Sequence, residues 1–438
     1  MSARTAVVVI SAALLVPGAA ASGAQPGAAL LEPAPLSSAA PAWGPVVKLG
    51  TNPLGAALAV DKKGTVTAVW EAVTKPRSIV VRQHRPGHAW SQAHTIGHGF
   101  EPALTVDGHG TVTVVWRGVR RGFSDGVLAA RHPAGGRWSA PIRISHDVKI
   151  AGYPTDGDDV VGASGINVAV GPVAGVVATW EWGSDNRPFP SRIQAAVLPP
   201  GGHWQAPVAV TPPNYSDSPT VGIGGNGTTF VVYTASMAGD TRWPLKVRQR
   251  SPHGRWSAPQ TLAPVTSPWR MQLAVNRAGD AVVGYYSGFE KMSVVFKPRG
   301  QAWQPRERVA AGVDVSAFSV GIVGSGAVVA ALNRQDGGVD VVRRSPGGTW
   351  SAAHQLDTGV VGEVSLGANQ AGDVLVSWGS TRLYASYLDH GGSWTPRYTV
   401  SPHLNALVGF HAVVAPDGDA AVLWDQKGAA LKARLMGS

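Results

Sequence analysis

A short turn that contains Gly opens an apolar strand closing on an aromatic residue or Leu, and the chain repeats this eight times. The strands end at Trp70, Trp116, Trp180, Tyr233, Tyr285, Leu332, Trp378 and Trp424. A second series of eight interleaves with the first, built on Trp43, Trp90, Trp138, Trp204, Trp256, Trp303, Trp350 and Trp394. Each of these is mostly followed by Ser, Gln or Thr and then, within a few positions, by Pro. A period of about 46 to 52 residues, interrupted by one insertion, is the mark of small sheets arrayed radially. The spacing predicts an all-β fold, a β-propeller of eight four-stranded blades over residues 43–438.

The first repeat shows the plan of a blade. LAVD ends at Asp61, a turn through Gly64 leads to TVTAVW, SIVVRQ follows from Ser78, and a turn before Trp90 leads to the last strand. These four strands are called a to d. In strand a, large residues such as Val60, Val106 and Val170 alternate with small ones such as Ala59, Thr105 and Ala169, the period of a strand whose crowded side faces neighbouring sheets. Strand b is apolar at nearly every position, as a sheet covered on both faces requires. The last repeat reaches only its third strand, ALKARL, while Trp43 with GPVVKLG is a lone fourth strand at the start. Joining the two is expected to complete one blade and close the array without a long free edge.

The ends and the composition narrow the class. Residues 1–24 read as a signal peptide: Arg4 precedes an apolar run from Ala6 to Val16, and small residues follow near Ala21 and Ala24. Residues 25–42, rich in Ala, Pro, Gly and Ser, read as a linker. The expectation is a secreted, extracellular monomer that does not span a membrane. No cysteine is present, which excludes disulfides, thiolate metal sites and thiol catalysis. The formal charge of +10 favours anionic partners such as acidic glycans and cell-surface polymers. Arg and Lys are dispersed through the repeats rather than clustered, so nucleic acid is not expected as a partner.

The turn before Trp394 reads YLDHGGSW, with Asp389, Gly391 and Trp394 at the positions of an Asp-box. The chain thereby resembles the sialidase-like propellers with BNR repeats. In that family the Asp-box is structural. Its sialidases use three arginines to hold the substrate carboxylate, a Tyr–Glu nucleophile pair and an acid/base Asp, on six blades. The recurrent Arg82, Arg131, Arg248 and Arg343 here precede the c-to-d turn, at the end opposite the usual active-site side, and read as partners of the neighbouring Trp. Tyr285, Tyr286 and Glu290 come nearest to the nucleophile pair, with Tyr285 at a packing position.

Four connections exceed their counterparts: 145–165, 181–192, 211–220 and 235–244. All are d-to-a or b-to-c connections, which share one end of a blade, so they are expected to form one wall of a cleft. They contain Asp156, Asp158, Asp159, Glu181, Trp182, Asp185, Arg187, Tyr215, Asp217, Arg242 and Trp243, the candidate ligand-binding residues. Aromatic faces beside carboxylates suit a sugar ring, whose C–H groups stack while its hydroxyls hydrogen-bond. Asp156 to Asp159 could offer oxygens to a structural Ca²⁺ but lack the spacing of a calcium loop, and no other cofactor is expected. His84, His88, His94 and His98 straddle a turn and two strands, which argues against a metal site. No catalytic residue can be assigned. The preferred reading is a glycan-binding module. The alternatives are a sialidase-like glycoside hydrolase or lyase, which needs converging carboxylates such as Glu181 with Asp185 or Asp158, and a protein-interaction scaffold.

Overall fold

The computed structural model describes residues 42–120, 123–145, 161–184, 191–212, 215–236, 243–264, 271–287, 291–310, 313–359, 362–379, 381–402, 407–426 and 430–437. The expected signal peptide and nearly all of the linker lie outside them. Among the described residues there are antiparallel sheets and no helix. Five stretches, opening at Val161, Tyr215, Met271, Val315 and Glu363, each form a separate four-stranded sheet in chain order. The first two repeats share one seven-stranded sheet because His94–Val106 is continuous. Its residues 94–98 pair with Ser78–His84 as strand d of one repeat, and its residues 99–106 pair with Val112–Arg120 as strand a of the next. The last sheet has five strands, since Ala42–Trp43 and Val47–Thr51 both pair with the C-terminal Ala430–Gly437. The two ends of the chain are therefore joined as the lone fourth strand required.

The a strands follow one another in space as in sequence. Pro53–Val60 touches His94–Val106, and contacts continue through Val161–Gly171, Tyr215–Ile223, Met271–Val275, Val315–Ile322, Glu363–Ala368 and Leu407–Val414. The last of these touches Pro53–Val60 again. The b strands behave as their composition requires: Trp70, Trp116, Trp180, Tyr233, Tyr285, Leu332, Trp378 and Trp424 are all buried. Room for them comes from the last strand of the preceding repeat. A Cβ on Gly97 would lie 2.5 Å from the Trp116 ring, and one on Gly50 would lie 2.8 Å from Trp70.

The second Trp series sits slightly differently from its expected place at the start of strand d. Trp256, Trp350 and Trp394 make single bridges to Arg250, Arg344 and Leu388, and the paired strands begin only at Gln260, His354 and Tyr398. The residue after each Trp explains the sequence preference there. The hydroxyls of Ser91, Ser139, Ser257, Ser351 and Thr395 accept hydrogen bonds from the backbone N–H of Gln83, Arg131, Gln249, Arg343 and Tyr387 on strand c.

An innermost strand has one edge without a ladder partner, and its backbone groups must find other ones. Side chains three positions before the end of strand a provide several. Asn167 donates to Pro219 O at 2.8 Å, and Gln272 both donates to Phe318 O and accepts from Val320 N. Ser319 accepts from Leu366 N and Ser365 from Ala412 N, each at 3.1 Å. His411 completes the series with a hydrogen bond to the backbone of Ala56 in the first repeat. Every bond in this series runs to the following sheet and contributes about 0.5–1.5 kcal/mol. The a-to-b turns add a second set: Asn276 and Asn369 donate to Val323 O and Ala415 O of the next sheet, at 3.1 and 2.8 Å. Asp61 and Asp107, at the same position in the first two repeats, only accept from their own turns. A carboxylate has no donor with which to reach a carbonyl.

Candidate ligand-binding face

The b-to-c and d-to-a connections leave the sheets at one end, as the order of antiparallel strands dictates, and strand a begins there. In each of the first four repeats that beginning is bulged. The pairing shifts between Leu54 and Ala57, Phe100 and Ala103, Ser164 and Asn167, and Asp217 and Thr220. One residue inside each bulge is left-handed: Gly55 at φ 49°, Glu101 at 53°, Gly165 at 58° and Ser218 at 56°. Glycine tolerates that conformation, whereas Glu and Ser adopt it at a cost of roughly 1–3 kcal/mol unless the surroundings enforce it. The bulges interlock: a Cβ on Gly165 would meet Pro219 of the next bulge at 3.3 Å. Bulges of this kind bend a strand and re-aim the side chains beside it.

The sequence candidates divide between the described stems and the rest. Asp156, Asp158, Asp159, Asp185, Arg187 and Arg242 lie outside the described residues. Glu181 and Asp217 flank the third and fourth bulges on the same end. Glu181 accepts a hydrogen bond from Ser164 at 3.4 Å. Asp217, 8% exposed, accepts one from Ser218 at 3.0 Å. Tyr215 opens its strand opposite Ser236, and the half-buried Trp243 stands just before Leu245–Arg250. Trp182 is 5% exposed within the core between the second and third repeats. An indole so covered has no face to offer a sugar, so Trp182 packs rather than serving as an aromatic platform.

A cluster on the same end, in the first two repeats, escaped the sequence reading. Glu71 is buried and forms an ion pair with Arg77, and it accepts from the backbone N–H of Glu101 at 3.4 Å. Arg77 and Arg117 both lie over the ring of Phe100, at 5.0 and 5.9 Å from its centroid. The sequence did hold a signal for it. Glu71, Arg117, Glu181 and Asp425 each follow the aromatic residue that ends a b strand, an unusual place for a charge.

The opposite end is tied to itself. Arg82 donates to Ser91 O at 2.6 Å and to Lys48 O and Leu49 O at 3.2 Å; Arg248 donates to Ser257 O at 2.8 Å and to Val210 O. Both guanidinium groups thus staple their sheet to the last strand of the preceding one, and Arg248 also lies over Trp256. The expectation that these arginines partner the Trp strand, rather than a substrate carboxylate, agrees with this geometry. At the Asp-box-like turn, Tyr387 donates to Gly418 O, and Asp373 accepts from His390 N and Asn369. Asp373, Asp389 and His390 bring ligand-type atoms within 4.8 Å of one another, but the oxygens of Asp373 are already engaged in holding the two turns together. A cleft of about 190 Å³ between the first and last sheets lies at this end, walled by Val60, Val66, Val413, Leu435 and Met436. Tyr285 is 1% exposed, and burial pushes its phenol up to about 12, which suits packing and not a nucleophile. His88, His94 and His98 are exposed, while the half-buried His84 rests on Trp90 with centroids 5.5 Å apart. No helix among the described residues is long and apolar enough to cross a membrane.

No protein-family model matches the chain, and no curated protein sequence does. Solved structures do match. An ulvan lyase, a polysaccharide lyase bound to -[GlcA(1-4)Rha3S]-, aligns at 11% identity over 89% of this chain and 94% of that one, with a TM-score of 0.51. A puromycin hydrolase aligns at 14% identity with a TM-score of 0.50, over 86% of this chain and 58% of that longer one. At these identities the likeness is one of fold. The resemblance to sialidase-like propellers therefore stands as architecture: the chain has a β-propeller fold.

Proposed function

We propose that this chain is an exported, monomeric β-propeller of eight blades that binds a glycan or cell-surface polymer at the end carrying the enlarged connections. The eight-blade reading divides the seven-stranded sheet at His98, giving its first half to one blade and its second to the next. The four left-handed bulges carry the functional reading. They lie in consecutive repeats on the end where the long connections emerge, and in two of them a residue other than Gly holds the strained conformation. Strain of that kind persists where a surface is shaped for use. The saccharide held by the ulvan lyase of the same fold supports a glycan as the ligand class, and so does the positive charge of the chain. Glu71, Glu181 and Asp217, three of the described carboxylates on this end, are each hydrogen-bonded within the fold, which supports binding over hydrolysis.

The test is one panel of neutral, uronate-bearing and sulfated polysaccharides, scored both for retention of the protein and for released oligosaccharide. Retention without release is the expected result. Release would replace the binding module with a lyase or hydrolase, and no retention on any polymer would overturn the reading.

A further inference from the structure

The Arg77–Phe100–Arg117 cluster is outside the enlarged connections, and one of its two guanidinium groups has no ion pair among the described residues. Arg77 has Glu71 as its partner. Arg117 makes no hydrogen bond or ion pair among the described residues; its one polar engagement is the face of Phe100. Its Nε is buried without a partner although the residue as a whole is half-buried. A guanidinium carries five N–H donors and is always charged, so leaving it unpaired and partly desolvated is costly. A charged donor without a partner calls for an explanation, and an anion bound at the accessible part of the guanidinium is one.

The backbone holds this arginine in place. Phe100 and Arg117 are directly opposite partners across the second bulge, so their side chains leave the sheet together. Arg77 is brought over the same ring by its carbonyl, which accepts from Gly99 N at 3.1 Å. The left-handed Glu101, whose N–H points to Glu71, fixes the other side of the bulge. Phe100 is thus a positioning residue for two guanidinium groups, one paired with Glu71 and one without an ion pair among the described residues.

We infer that Arg117, with Arg77 beside it on Phe100, forms an oxyanion subsite that takes the carboxylate or sulfate ester of an anionic polysaccharide. This deepens the reading of the enlarged-connection end as a glycan surface and rests on it. A planar fork of donors matches a carboxylate in two parallel hydrogen bonds and a sulfate nearly as well. The net positive charge steers a polyanion toward the protein, and Arg117 supplies a local point of registration.

The experiment compares wild type with Arg117→Gln, Arg117→Lys and, on the fourth bulge, Asp217→Asn. Binding is measured by calorimetry to uronate and sulfated oligosaccharides and to a neutral glycan, with inorganic sulfate as a further arm. R117Q is expected to weaken the anionic ligands at least tenfold, leave a neutral glycan unchanged and reduce the salt dependence of binding. R117K should fall between, since charge without the fork retains only part of the interaction. Thermal unfolding of R117Q should be unchanged or raised, whereas a merely structural arginine would lower it. Whichever anion loses more affinity identifies the oxyanion, and inorganic sulfate binding alone, with no polymer bound, overturns the assignment. If R117Q keeps wild-type affinity while D217N loses it, the subsite is wrong and the glycan surface stands. If wild type binds no saccharide, both fail.

Discussion

The two halves of the repeat array secure their innermost strands by different means. In the later half, Gln272, Ser319, Ser365 and His411 bond to the backbone of the following a strand. In the earlier half the same position holds Ala57, Ala103, Asn167 and Thr220. The first two have no polar atom and the Thr220 hydroxyl is buried without a partner, which leaves Asn167, bonded to Pro219 O, as the one bridge of this series among the described residues of that half. There the strands begin instead with left-handed bulges at Gly55, Glu101, Gly165 and Ser218. A side chain bonded to the neighbouring backbone fixes spacing. A bulge spends conformational energy to direct what stands beside it. The later half thus bridges its inner strands more regularly, and the left-handed bulges gather on the half that carries the enlarged connections, the half proposed to present a surface.

The comparison can be broken at several points. The largest effect is expected from deleting residues 42–51, which leaves Ala430–Gly437 paired only with Ala420–Gln426 and opens the seam between the last sheet and the first. Cooperative unfolding should be lost, or stability should fall by on the order of 5 kcal/mol or more, in denaturant titrations. A stable, cooperative deletion variant would show that the later half does not depend on that joint.

Next comes Asn369, 2% exposed, whose amide makes four hydrogen bonds, to Asp373 twice, Gly372 and Ala415. Asn369→Ala should cost about 2–4 kcal/mol because Ala415 O and Asp373 lose buried donors. Asn369→Asp should cost more, since it sets a second carboxylate against Asp373. Equal stability for the two variants would refute the role given to the donated bond.

His411 sharpens the comparison through pH. Burial pushes its imidazole from an ordinary value near 6.5 down to about 4. The folded chain thus refuses a proton that the unfolded chain accepts below about pH 6.5. Its contribution is complete above that pH, declines between 6.5 and 4, and levels off below. Allowing for the accessible part of the ring, the loss is about 1–2 kcal/mol. His411→Gln keeps a donor for Ala56 and should flatten this part of the curve. Unfolding midpoints at pH 7 and pH 4.5 measure it, and an unchanged pH dependence in the variant rules out His411 as its source.

The smallest effect lies in the earlier half. Ser218→Gly should raise stability by about 0.5 kcal/mol by relieving a left-handed residue, while weakening glycan retention. If stability falls, the bulge is not strained and the contrast between the halves loses its meaning.

Much of the architecture was open to reading because it repeats. Buried aromatics at the ends of the b strands, small residues in the a strands and the lone Trp43 segment are each dictated by burial or by an unpaired edge, and the structure places all of them accordingly. The candidate surface was less legible. Trp182 looks like a sugar platform in a polar loop, yet it is core, because burial depends on the neighbouring sheet and not on loop composition. Arg117 looks like one more dispersed positive charge. Its significance comes from Phe100 and Arg77, which belong to other connections.

Alone, the residue order determined the strands, the turns and the joining of the two ends, since periodicity, glycine placement and edge pairing are local or repeat-wide constraints. Only the tertiary structure decided where strand a bulges, that one continuous strand serves two repeats, which polar side chains bridge to the following sheet and that Arg117 meets Phe100 but no hydrogen-bond or ion-pair partner among the described residues. Those outcomes depend on distances between segments far apart in the chain, and such distances exist only once the sheets have packed.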